Sequence, residues 1–129
     1  MCDLPWQAPV WDRRSNQKHR KSNKRTWDRS MTKAMTADGD ETSQFDPNLT
    51  DEEVAVMELE CVQGQGRLIR GRCHKRTYFR KMDRTIGASA GEFTPYIFVE
   101  YVNSGLVHGW PITWEQLTKN KGVLGNEPD

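Results

Sequence analysis

The sequence predicts a mostly β (α+β) domain: a small curved antiparallel sheet or partly open barrel, of SH3-like or OB-like size, with a short C-terminal helix and a flexible basic N-terminal tail. Three observations carry this expectation. Residues 95–102 form the most hydrophobic run, and Asn103-Ser104-Gly105 follows as a three-residue hairpin turn leading into a return strand over 106–112. Residues 67–81 alternate between small or apolar and basic side chains, the period of a strand. A chain of 129 residues with 29% charged residues and a mean hydropathy of -0.87 has apolar material for one modest core.

Each element follows from its residues. Residues 12–33 are rich in Arg, Lys, Asn, Ser and Gln and poor in aliphatic side chains, so they bury too little to offset the entropy of ordering. Residues 1–36 therefore read as a basic tail containing Trp6, Trp11 and Trp27, and 37–53 as an acidic linker carrying Gly39 and Pro47. Thr50 and Glu53 have capping-box spacing, which predicts at least a helical turn at 51–55. Beyond it, a helix would place Glu58 inside the apolar arc of Val54, Met57, Cys61 and Val62, whereas on a strand Met57, Leu59 and Cys61 share a face. The pattern predicts a strand over 56–62 and a turn at Gln63–Gly66. One long strand over 67–81 follows, bent at Gly71.

Residues 83–92, with two Gly, two Ala and a Ser, read as a mobile loop. The run at 95–102 is expected as a central strand, and Pro111 ends the return strand or marks it as an edge. Thr113 is placed to cap a helix over 114–120 that Gly122 closes. The β-rich domain spans 54–122, with a tail over 123–129.

Charge is segregated along the chain. Residues 1–36 carry nine Lys or Arg against three acids, 37–60 nine acids and no base, 61–84 eight bases against one acid, and 85–129 two bases against five acids. Blocks of one sign attract a partner of the other. No run approaches the roughly 18 apolar residues of a membrane span, and the N-terminus lacks the apolar core of a secretory signal. Cys2, Cys61 and Cys73 are odd in number and form no C-x-x-C pair, which argues against a disulfide framework or a cysteine zinc site. The expectation is a reducing, cytoplasmic compartment with no metal and no cofactor, with Cys61 and Cys73 as small core residues.

Four groups of residues point to chemistry. On a strand, Arg70, Arg72, His74, Arg76, Tyr78 and Arg80 share one face, with Lys75 and Lys81 at its margins. Alternate positions are roughly 6.6 Å apart, so the guanidinium groups would follow successive phosphates while Tyr78 stacks on a base. The competing reading is a solvated face balanced by the chain's own acidic segment. Arg13, Arg14, Lys18, Arg20 and Lys21 form a second, arm-like phosphate-binding group. A hairpin closing with Val102 opposite Leu106 sets Glu100 across from His108 and Phe98 across from Trp110. A carboxylate beside an imidazole is a general acid–base arrangement, with His74 as a further candidate, although such a pair equally satisfies a half-buried histidine. Finally, the three tail tryptophans suit anchoring to a protein partner or to the chain's own core.

The reading is a small nucleic-acid-binding module, for RNA or single strands, using the basic strand face and the basic arm. Two alternatives stand beside it. One is a metal-independent ribonuclease built on Glu100 and His108. The other is a structural or inhibitory protein-interaction factor of the virion or anti-defence type.

Overall fold

A computed structural model describes residues 4–20 and 43–129. Trp27 and Lys21 lie outside the described residues, as does the Lys18 side chain. The elements are β1 (Val10–Trp11), α1 (Arg13–Asn16) with a 3-10 turn (Gln17–His19), β2 (Gln44–Phe45), α2 (Asp51–Glu60), β3 (Arg67–Gly71), β4 (Lys75–Lys81), β5 (Gly87–Ser89), β6 (Glu92–Thr94), β7 (Tyr96–Val102), β8 (Leu106–Pro111) and α3 (Trp114–Asn120). Among the described residues, eight strands make two sheets, β1-β8-β7-β4-β3 and β2-β5-β6, neither closed into a barrel. The fold is thus the mostly β, open curved-sheet type with a short C-terminal helix.

The central hairpin forms in the expected register. Glu100 pairs with His108 and Phe98 with Trp110, and Gly105 holds the turn at φ 106°. Four of the five strands in the larger sheet, β3, β4, β7 and β8, are antiparallel neighbours in chain order, and β1 adds a short parallel strand outside β8.

Each face of this sheet has its own core. On one side α2 brings Val54 and Met57, with Cys61 just after its end, onto Ile97, Val99, Tyr101 and Val107. On the other, Leu117 of α3 and Val123 cover Phe79, Tyr96, Phe98 and Ile112. Helix α3 begins at a capping box made by Thr113 and Gln116 and ends before Gly122, whose φ is 76°.

Five sequence expectations are corrected. The strand over 56–62 is instead the end of α2, started by the Thr50–Glu53 capping box, and the beginning of a π-helical turn (Cys61–Gln65) that follows it. Glu58, which argued against a helix, is fully buried and accepts hydrogen bonds from Trp11 Nε1 at 2.9 Å and Asn16 Nδ2 at 2.6 Å. A carboxyl in the apolar arc is tolerated because partners remote in sequence meet it there.

The single strand over 67–81 is a hairpin that turns at 72–74, and its register slip falls between Leu68 and Arg70, not at Gly71. The loop over 83–92 contains β5 and most of its turn into β6, with Ile86 and Ala88 wholly buried.

Residues 4–20, assigned by composition to the tail, lie against the large sheet. Gln7, Val10 and Asp12 donate backbone hydrogen bonds to Asn103, Gly105 and Val107. The rings of Trp6 and Trp11, not aliphatic side chains, provide the burial that composition lacked.

Cys61 is a buried free thiol, which burial pushes up to about 12. Cys73, by contrast, is disulfide-bonded, so the expectation that it is a reduced core residue does not hold.

Candidate nucleic-acid interface

Strand β4 decides where the basic side chains go, because residues opposed on neighbouring strands share a face. Arg76 stands opposite Tyr101, Tyr78 opposite Val99 and Arg80 opposite Ile97, so all three belong to the α2 face. Thr77 opposite Glu100 and Phe79 opposite Phe98 belong to the α3 face. The expected ladder therefore divides between the two sides of the sheet.

Its α2 half is occupied. The Arg76 guanidinium lies 3.9 Å from the centre of the Trp6 ring, and Trp6 packs edge-on against Tyr101 at 4.9 Å. Arg80 pairs with Glu60 at 3.2 Å, and Tyr78 packs against the core beneath α2. The charge blocks thus meet within the molecule, and Arg84 with Glu53 and Arg13 and Arg20 with Asp51 complete the pattern. Within the basic arm these pairs take up Arg13 and Arg20, while Arg14 is exposed.

The other half of the ladder borders an open cleft of about 380 Å³. Arg70 and Arg72 come from β3 and its turn, His74 and Lys75 from the start of β4, Glu100 from β7, and Lys121 from the residue after α3. Lys75 Nζ sits 2.6 Å from Glu100 Oε2, and Lys121 Nζ lies 4.7 Å from the centre of the Phe98 ring. Four cations thus share the cleft with one carboxylate, and that carboxylate is already paired. Among the described residues, no ion pair engages Arg70, Arg72 or Lys121. Guanidinium groups of this kind present flat donor pairs matched to phosphate oxygens.

Glu100 and His108 are opposed in register, hence on this same face, but the Glu100 carboxylate is drawn to Lys75. His108 lies toward Asp12 at the far border of the face. Burial works to raise the Asp12 carboxyl, yet hydrogen bonds from Ser15 and the nearby His108 hold it below its ordinary value. His74, at the tip of the β3–β4 hairpin, is exposed at the cleft. The two described tail tryptophans are spent inside the molecule, Trp6 under Arg76 and Trp11 on Glu58, rather than presented to a partner.

Sequence reasoning missed two features. Lys121 reaches the cleft only because α3 folds back over β7, which no local pattern encodes. The second is the cluster around Glu58. Beyond the end of β1, the outer edge of β8 would be bare at Gly109. There the Gly109 amide donates to the Glu58 carboxyl while its carbonyl accepts from Asn16 Nδ2 at 3.2 Å. Burial pushes the Glu58 carboxyl up to about 8, against the pull of its three donors. Beside this cluster the buried His19 donates through Nδ1 to the Ser43 carbonyl at 2.7 Å and stacks on Trp110. The legible signal was Glu58 itself, an acid in the middle of an apolar arc.

No protein-family model matches this chain, and no curated protein or solved structure matches it at a significant level.

Proposed function

We propose that the protein is a single-stranded nucleic-acid-binding module, RNA being the expected ligand, and that the cleft holds its phosphates. One observation carries this reading: Arg70, Arg72 and Lys121 border an open cleft whose only carboxylate among the described residues, Glu100, is already paired with Lys75. Arg70 and Arg72 grip phosphate oxygens, and Lys75 supplies a further positive charge once a phosphate competes with Glu100 for it. A fluorescence titration of wild type and the Arg70→Ala/Arg72→Ala variant with a uridine decamer at 50 and 200 mM salt tests the reading. Loss of two phosphate contacts flattens the dependence of log K on log salt by about 1.4. Equal affinity and equal salt dependence in the two proteins would refute it.

A second reading is favoured by the Glu100–His108 register on this same face. A bound RNA strand would give its 2′-hydroxyl proton to His108 as the oxygen attacks phosphorus, and His74 would protonate the departing 5′-oxygen, leaving a 2′,3′-cyclic phosphate. Gel analysis of the titrated RNA decides it. Cleavage that His108→Ala abolishes while binding persists supports a ribonuclease, and intact RNA after prolonged incubation removes it.

A further inference from the structure

Arg67 and Arg70 are three positions apart on β3, a spacing that puts side chains on opposite faces of a regular strand. The register slips between them, so Arg67 stands opposite Phe79 and Arg70 opposite Thr77, both on the α3 face. The bulge thereby turns the two arginines to the same side, with Arg72 following at the cleft.

The Arg67 end of this row is covered by the chain's own last residues. Gly122 redirects the chain after α3, Val123 is buried against the Phe79 and Tyr96 cluster, and the residues beyond cross β3 and β4. Arg67 Nη2 donates to the Leu124 carbonyl at 3.3 Å and Lys81 Nζ to the Pro128 carbonyl at 2.9 Å. Glu127 accepts from the Tyr96 hydroxyl at 2.7 Å instead of meeting either cation. An opening of about 380 Å³ remains between Arg67, Phe79, Lys81 and Pro128. Two cations are therefore held by neutral carbonyl oxygens, which a phosphate outcompetes as an acceptor.

The geometry points to one cationic track on the α3 face, from Lys81 and Arg67 through Arg70 to Arg72, that takes an extended single-stranded nucleic acid, with residues 124–129 lying across its Arg67 end as a displaceable cover. It rests on the cleft being a phosphate site and extends that site. Five residues of strand span roughly 17 Å, the reach of about three phosphates. A dinucleotide fits the cleft alone, whereas a longer strand must displace the cover.

The test compares wild type, a variant ending at Val123, and Arg67→Ala/Lys81→Ala, each titrated with uridine dinucleotide and dodecamer over a range of salt. Removing the cover is expected to tighten the dodecamer by about tenfold, the equivalent of one or two lost hydrogen bonds, and to leave the dinucleotide within twofold. Arg67→Ala/Lys81→Ala is expected to flatten the dodecamer salt dependence by about 1.4 and leave the dinucleotide unchanged. If neither variant departs from wild type while Arg70→Ala/Arg72→Ala still loses binding, the track ends at the cleft and this inference is overturned. If wild type and the shortened variant bind neither probe, the reading of the cleft falls as well.

Discussion

Replacing Glu58 with Gln keeps the shape of the side chain and removes its proton equilibrium. In the folded protein burial raises this carboxyl to about 8 from an ordinary value of 4.5, a gap equivalent to roughly 5 kcal/mol. The folded state therefore binds the proton more tightly than the unfolded state, and the associated stability is complete below about pH 4.5 and lost as pH rises through about 8.

Between pH 5 and pH 9 the linkage amounts to about 4 kcal/mol, or roughly 2 to 3 M in the urea midpoint for a domain of this size. Urea denaturation of wild type and Glu58→Gln at pH 5, 7 and 9, followed by tryptophan fluorescence, measures it. The difference between the two proteins isolates Glu58 from the histidines. Wild type should lose its advantage steadily with rising pH, and parallel midpoints across the range would refute the reasoning.

Three further outcomes follow from the packing. Gly109→Ala would place a Cβ 2.3 Å from the Phe98 carbonyl and 3.2 Å from Val99 Cα, backbone atoms that cannot yield, so a loss of more than about 3 kcal/mol is expected in the same urea assay. Trp6→Ala removes the ring between Arg76 and Tyr101 and should cost about 2 kcal/mol, seen as a fall in Tm of roughly 6 to 10 °C. Because Trp6 lies on the face away from the cleft, RNA affinity measured below that Tm should stay within twofold of wild type.

Legibility in the sequence depended on how local the cause was. The β7–β8 hairpin was readable to the residue because an apolar run, a glycine turn and a return strand specify one register between them. The Thr50–Glu53 capping box and the Thr113 cap were readable for the same reason. Helix α2 was cut short because Glu58 is acceptable only once Trp11, Asn16 and Gly109 surround it, and those lie 42 to 51 positions away. The β3–β4 hairpin was read as one strand because its turn, Arg72-Cys73-His74, has neither Gly nor Pro at its tip and interrupts no alternation. That misreading put Arg76, Tyr78 and Arg80 beside Arg70 and Arg72. Half of the candidate site was thus visible, and its remaining wall, Lys121, came from tertiary folding.

The most direct test of the central claim is a side-by-side titration of one fluorescent single-stranded RNA with wild type, Arg70→Ala/Arg72→Ala and Arg76→Gln/Arg80→Gln. All five-stranded sheet arginines would contribute alike if the basic ladder were one continuous face. If the cleft binds phosphate, the first variant loses at least about tenfold in affinity and the second, whose side chains are held by Trp6 and Glu60, stays within about twofold. Equal losses in the two variants, or a larger loss in the second, would contradict the account.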